Sequence, residues 1–498
     1  LSDLFTGSSI EVYTSALSGQ AGDEIALHVS TTAQLFDLRV SRIGREEVTV
    51  WERTQVPGAF YPTPDDACAN GCGWPAALSV TIEDGWRSGY YQVTATTADD
   101  DGDVEEYVAF FVVRATTSRS PILFVLATNT YAAYNFYGTG SLYVTRDGSP
   151  GNEPYVSMHR PWIPGFLRNP EGYDRIVEAR RQNFDPTDPL LRDRESGVPW
   201  LSCAAGFGNW ELVMVEWLER NGYEVDYAVQ SDLDYHPDLL SGYGLMLSVG
   251  HDEYWSWLER DAVEAFIAGG GNVCFFSGNA VCWQVRLDDD GARIYCYKEN
   301  FAADPVVQAG DPRAATTFWL ADQIERPESR LTGQSFWFAG MSRFYSAAPN
   351  GPGGFLVYRP EHWIFEGAGV GYGDCLGQRS AILHYEVDGC PIRFEKGLPY
   401  PEDFHDAHPS LEIVGLAPAS FVLAEGDSVR EYMKTFGVMD PQVVDYVEPN
   451  RGHATMTMYT DNGTVFAAGT TDWTNGLTGD DPAVEQVTRN LLDRLSAR

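Results

Sequence analysis

The sequence predicts a multidomain protein of mixed class: an immunoglobulin-like β sandwich over residues 1–115, then a doubly wound α/β domain over residues 120–498. Three observations predict it. Short runs in which apolar and polar residues alternate fill the first 114 positions. From Ile122 onward, apolar strand-like runs alternate with helical periodicity. Between the two textures lies a short polar stretch, ATTSRSP, at residues 115–121.

In the first part, Ile25, Leu27 and Val29 alternate with polar neighbours, as do Phe36, Leu38 and Val40, then Tyr91, Val93 and Ala95. Residues 107–113 close the series, and the acidic turn at residues 99–103 is a hairpin signal. About seven such runs in roughly 110 residues are the pattern of an immunoglobulin-like sandwich.

Beyond the linker, residues 122–127 read as a buried strand, 210–220 as an amphipathic helix and 223–229 as a strand. Residues 245–249 form the next strand, ending at Gly250. Ser256 and Glu259 have capping-box spacing, so a helix begins near Trp257. It carries Leu258, Ala262, Ala265 and Phe266 on one face and stops at the three glycines 269–271. Residues 273–276 are another strand; a strand at 465–468 and a helix at 483–495 close the chain. A strand–helix–strand crossover makes its strands parallel, so both end on one edge, the edge where open α/β sheets bind ligands. Residues 300–450, rich in Gly, Pro and aromatic residues, read as an irregular β-rich elaboration packed on that sheet.

Composition narrows the function classes. A length of 498 residues has room for about three domains, and 44% hydrophobic residues with 13% aromatic exclude a disordered chain. The net charge of −37 excludes nucleic acid and anionic membranes as partners. No apolar run reaches membrane-spanning length and no signal peptide is visible at Leu1, where a processed leader would leave none; the sparse cysteines make the cytoplasm the expected compartment. Eight cysteines are too few for a disulfide scaffold; Cys203, Cys274 and Cys282 read as buried thiols, as do Cys68 and Cys72.

The strand ends carry the chemistry. After residue 127 come Tyr131, Tyr134 and Asn135; after Gly250 come His251, Asp252 and Glu253; after the next strand comes Asn279; after the last strand come Thr470, Thr471 and Asp472. Taken singly, Glu253 serves equally as a helix cap or a ligand, and His251 as a packed histidine or an acid–base group. Gly138 and Gly140 lack the third glycine of a dinucleotide fingerprint, and no G-x-S-x-G elbow or H-E-x-x-H zinc motif occurs.

Three segments, "ATNTYAAYNFYGTGSLY", "SVGHDEYWSWLERDAVEAFIAGGGNVCFFSGN" and "GTTDWTNGL", resemble the N,N-dimethylformamidase large-subunit family, and the similarity spans essentially the whole chain. The resemblance implies an amidohydrolase with one mononuclear ferric iron held by two tyrosines and one glutamate. It carries the glutamate to Glu253 through "HDEYW", and pocket roles to His251 and Asn279 through the same segment. Tyr134 in "AYN" matches the first tyrosine, with Tyr131 as the alternative; Tyr173 in "EGYDR" matches the second, with Tyr155 as the alternative. Glu386 in "HYEVDG" resembles a further pocket acid.

Two phenolates and a carboxylate balance a ferric charge with hard oxygen donors. The expected substrate is a small amide, and the expected partner a small subunit or a second copy of the chain. The family's large subunit also carries a further N-terminal β domain not seen in this sequence. The α/β half also looks like the glutamine-amidotransferase-like domains of sugar-utilisation proteins. That likeness implies a rival, metal-free carbohydrate-active or carbohydrate-binding protein using Glu253 and Glu386.

Overall fold

A computed structural model describes residues 9–98, 104–117, 120–147, 149, 151–169, 204–288, 291–342, 351–402, 404, 407–420, 428–447 and 451–497. The N-terminal region is β-rich, as its alternating pattern predicts. One sheet has three strands in the order Ile10–Thr14, Glu24–Thr31, Ala76–Thr81; the other has five, in the order Ser18–Gly19, Val104–Val113, Gly89–Ala98, Leu35–Ile43, Val48–Pro57. The inward residues of both share one apolar core that includes Val12, Leu27, Leu38, Val40, Val93 and Phe111.

The five-stranded sheet is covered on its other face as well. Tyr90, Phe110 and Val112 belong to the main core of the molecule, and the Tyr90 ring stacks on Phe207 with centroids 3.7 Å apart. Burial on both faces explains why residues 108–113, VAFFVV, lose the polar alternation of the earlier strands.

Among the described residues, the largest sheet has nine strands. Their order is Asp226–Val229, Ile122–Leu126, Leu245–His251, Asn272–Gly278, Thr464–Ala467, Gly452–Thr460, Glu412–Ala419, Phe355–Val357, Cys375–Leu376. The first five are parallel, and the rest are antiparallel. The expected doubly wound parallel sheet is therefore corrected to a mixed one. Strands Phe355–Val357, Cys375–Leu376 and Glu412–Ala419 of the 300–450 segment extend the sheet edge-on, while its two-stranded sheet of Ser335–Met341 and Glu386–Gly389 packs against it as expected. Antiparallel neighbours need only a short turn and no crossover helix; Asp461 N–H donates to Gly463 O, 2.9 Å away, in such a turn.

The two faces of the parallel strands are buried in separate cores. Leu245, Leu247 and Val249 face one with Met214, Trp217, Val487 and Leu491. Met246, Val273 and Phe275 face the other with Ala262, Val263 and Ile267. The helix Trp257–Ala268 starts with the expected capping box: Glu259 N–H donates to Ser256 Oγ at 3.0 Å, and Ser256 N–H reaches Glu259 Oε2 at 3.4 Å. In chain order the parallel strands sit 2-1-3-4-5, so the order reverses between Ile122–Leu126 and Leu245–His251. A crevice opens at such a reversal, outside the carboxyl ends of the strands.

Candidate active site

His251 ends its strand beside that reversal. Gly250 before it has φ +77°, and a Cβ there would lie 2.6 Å from the Trp210 Cβ, so glycine alone fits the turn. His251, Asp252 and Glu253 then diverge. Asp252 turns away from the site and accepts from Ser248 Oγ (2.6 Å), Trp255 Nε1 (2.9 Å) and Gln230 Nε2 (3.0 Å). His251 and Glu253, 2% and 3% exposed, turn toward the carboxyl edge.

His251 Nδ1 donates to Ala204 O at 2.6 Å, which assigns that proton, because a carbonyl only accepts. Its Nε2 lies 2.7 Å from Glu386 Oε2 and 3.4 Å from Glu253 Oε2. Burial alone would depress the imidazole pKa, but the charges of Glu386 and Glu253 outweigh it and push it up to about 9. Three aromatic rings fix the imidazole plane: Tyr134 at 5.6 Å, Tyr385 at 5.7 Å and Trp210 at 6.0 Å. Buried Asp472 braces two of these residues, accepting from Trp210 Nε1 (3.1 Å) and Tyr385 N–H (2.9 Å).

Glu253 is ringed by donors. Its Oε1 accepts from Trp283 Nε1 at 2.7 Å and from Tyr143 OH at 3.0 Å. Its Oε2 lies 3.0 Å from Tyr134 OH and 3.1 Å from Tyr143 OH. Tyr143 OH is also 2.7 Å from Tyr134 OH and 2.7 Å from Tyr254 OH. Burial, with the nearby Glu253 charge, raises all three phenols well above their ordinary range. Burial also raises the Glu253 carboxyl, against the lowering effect of His251 and Lys298.

Buried Lys298 covers this cluster, its Nζ 3.5 Å from the Tyr143 ring centre and 4.6 Å from that of Trp283. Burial lowers the pKa of its ammonium. Asn279 reaches the same centre from the neighbouring strand, donating from Nδ2 to Glu386 Oε2 at 2.9 Å.

Five of the residues singled out in the sequence therefore converge: Tyr134, His251, Glu253, Asn279 and Glu386. Tyr173 lies outside the described residues. Tyr131 is buried against Phe110 and Trp162, turned toward Glu211, and Tyr155 packs on Tyr295 in an outer sheet. Neither alternative tyrosine joins the cluster. Cys68, Cys72, Cys274 and Cys282 are free, buried thiols, and Cys203 lies outside the described residues.

The sequence alone assigns no site role to Tyr143, Tyr254, Trp283 or Lys298. Tyr254 directly follows Glu253, and Lys298 is one of only three lysines, set in the aromatic stretch "YCYKEN"; both were available signals.

Among the described residues, no group of three or more His, Cys, Asp and Glu side chains is arranged to hold a metal. A phenol–carboxylate set is a different donor class. Tyr134, Tyr143, Tyr254 and Glu253 make five oxygen–oxygen approaches of 2.7–3.1 Å. Phenol and carboxylate oxygens gathered this closely are the hard donor class that a ferric ion takes, so the residues fit one by chemistry.

Fold and site together define a mixed α/β protein with a buried acid–base centre at the switch point of its sheet. The chain belongs to the N,N-dimethylformamidase beta subunit-like, C-terminal family, whose model matches residues 37–487. It is similar to the N,N-dimethylformamidase beta subunit of Alcaligenes sp., 25% identical over 460 residues, covering 86% of this chain and 55% of that protein. It is also similar to the beta subunit of Paracoccus aminophilus, 26% identical over 347 residues, covering 64% of this chain and 42% of that protein. The chain thus spans about half the length of the curated relatives it matches.

Proposed function

We propose that this chain is the catalytic part of an amide hydrolase that cleaves the C–N bond of a small amide. The observation that carries the reading is the packing of Tyr134, Tyr143 and Glu253 oxygens against the His251–Glu386 pair. In this reading Tyr134 and Glu253 hold a mononuclear ferric ion with a second tyrosine. Tyr173 takes that place by resemblance, and Tyr143 by its 3.0 Å approach to Glu253. When bound, the ion supplies Lewis acidity to the amide carbonyl and to water.

The chain's own residues move the protons. Glu386 accepts one from the attacking water as the O–C bond forms. Asn279 Nδ2 donates a hydrogen bond to the carbonyl oxygen as charge develops there. His251 Nε2, held protonated by its two carboxylate neighbours, delivers its proton to the leaving nitrogen as the C–N bond breaks. Glu386, 2.7 Å away, then returns a proton to His251. Carboxylic acid and amine leave, and both groups are restored.

The rest of the architecture follows the same reading. We take residues 1–115 as an immunoglobulin-like domain, because two sheets share one apolar core there. Residues 120–498 are taken as a glutamine-amidotransferase-like domain, because of the 2-1-3-4-5 strand order. The relatives are named as beta subunits, so the partner is a small subunit of another kind, with a second copy of the chain as the alternative.

Iron quantitation with visible spectroscopy tests the centre. Ferric phenolates are coloured by charge transfer, so the purified protein absorbs visible light, and Tyr134→Phe removes or shifts the band. Whichever of Tyr143→Phe and Tyr173→Phe shifts it identifies the second ligand. A colourless protein with full metal occupancy overturns the tyrosine–iron centre.

A further inference from the structure

Asn279 enters the site from a turn that holds a β-branched residue, Val281, at positive φ. Asn279 has φ +48° and Val281 has φ +58°. Asn tolerates the left-handed region better than most side chains, but a β-branched residue there is an outlier. Something must hold the turn, and its backbone bonds show what does. Val281 N–H donates to Asp252 O and Trp283 N–H to Glu253 O, each at 2.9 Å. The N–H of Ala280, at the apex, has no such backbone partner among the described residues. It donates to Asp388 Oδ2 at 3.1 Å.

Asp388 is 2% exposed, two residues beyond Glu386 on the strand Glu386–Gly389. Residues two apart on a strand share a face. One face of this strand therefore grips Asn279 twice: Glu386 takes its side-chain amide at 2.9 Å, and Asp388 takes the backbone that follows. The Asp388 carboxyl is costly to bury: burial pushes its pKa up to about 8, while the Ala280 and Asn279 N–H groups pull it back down. Its Oδ1 has no hydrogen-bond partner among the described residues. A buried carboxyl whose stabilising N–H groups both belong to this one turn is placed to hold the turn.

We propose that Asp388 is a positioning residue that clamps the Asn279–Val281 turn and so presents the Asn279 amide to the His251–Glu386 pair. The proposal rests on the reading of this centre as an amide-hydrolysing site in which Asn279 acts on the substrate oxygen.

Steady-state kinetics on amides and crystal structures of the variants test it. Asp388→Ala lowers kcat about 10–100-fold with KM nearly unchanged, because an oxyanion donor acts mainly in the transition state. Asp388→Asn, which keeps an oxygen for the Ala280 N–H, stays within about threefold of the parent. In an Asn279→Ala background, Asp388→Ala adds no further loss, because the clamp then has nothing to position.

The proposal is overturned if folded Asp388→Ala keeps kcat within twofold of the parent, or if its loss multiplies with that of Asn279→Ala. If Asp388→Ala does not fold, Asp388→Leu, of similar size with no acceptor, replaces it. If both unfold while Asn279→Ala folds, Asp388 is a folding requirement and the positioning role is rejected.

The crystallographic arm needs no turnover. In Asp388→Ala the Asn279 backbone leaves the left-handed region and its amide parts from Glu386; retention of both overturns the clamp. A parent protein that hydrolyses no amide overturns the functional reading instead, and the clamp is then judged by that geometry.

Discussion

Tyr91, Val93 and Ala95 in the N-terminal sheets and His251, Asp252 and Glu253 at the edge of the mixed sheet are all removed from water. Their surroundings differ in kind. The first three lie among Ile25, Leu38, Val40 and Phe111, where burial is favourable in itself. The second three are polar groups whose burial is offset only by specific partners: Ala204 O and Glu386 for His251, three donors for Asp252, two phenols and an indole for Glu253. One region is organised for stability. The other accepts destabilising groups, which a fold tolerates where chemistry requires them.

The comparison is tested most severely at Glu253. Glu253→Ala removes one of the three proposed anionic ligands, so iron and activity are expected to fall to background while the fold remains. Metal analysis alongside circular dichroism reads both. A variant that keeps iron and turnover makes Glu253 a helix-proximal cap.

His251→Ala comes next. Iron stays, because the proposed ligands are oxygens, and turnover of simple amides falls about 10²–10⁴-fold. The loss shrinks for amides with better leaving groups, which depend less on protonation of nitrogen. Unchanged turnover across a leaving-group series removes His251 from the proton pathway.

Phe111→Ala probes the other region. Deleting a buried aromatic ring costs roughly 3–5 kcal/mol of stability, read by denaturant unfolding. Turnover per folded molecule stays at the parent value. A changed turnover would join the two regions energetically and break the contrast.

The smallest expected effect is a pH dependence at Glu211, a fully buried acid behind the site. Burial raises its carboxyl to about 8, against lowering bonds from Tyr131 and Ala127. A pKa above the unfolded value means the native state holds the proton. Its contribution to stability is therefore full below pH ~4 and declines as pH rises toward 8. Glu211→Gln keeps an oxygen for Ala127 N–H and removes the ionisation. Relative to the parent it gains roughly 2–4 kcal/mol between pH 5 and pH 8. Parallel unfolding curves at the two pH values mean Glu211 is not held protonated.

Much of the site was legible because it lies at the ends of regular elements. The strand Leu245–His251, the capped helix Trp257–Ala268 and the strand Asn272–Gly278 are written in local periodicity and caps, and they place His251, Glu253 and Asn279 within a few residues of their predicted positions. Tyr143 was not legible: it sits in a loop nine residues after Tyr134, and only folding brings its hydroxyl 2.7 Å from that of Tyr134. Lys298 is 45 residues from Glu253 in sequence and shares no periodic element with it.

Local patterning along the chain determined which segments are strands and helices, where the β-rich region gives way to the α/β region, and which polar residues stand at strand ends. Those depend on contacts within a few residues, where side-chain period and capping chemistry act directly. Tertiary structure alone decided that the sheet is mixed, that residues 355–357 and 412–419 extend it, and that Glu386, over 100 residues from Asn279, takes its amide. Each of these is a pairing between distant segments. No local pattern encodes such a pairing, because it is chosen by burial and hydrogen-bond satisfaction across the whole fold.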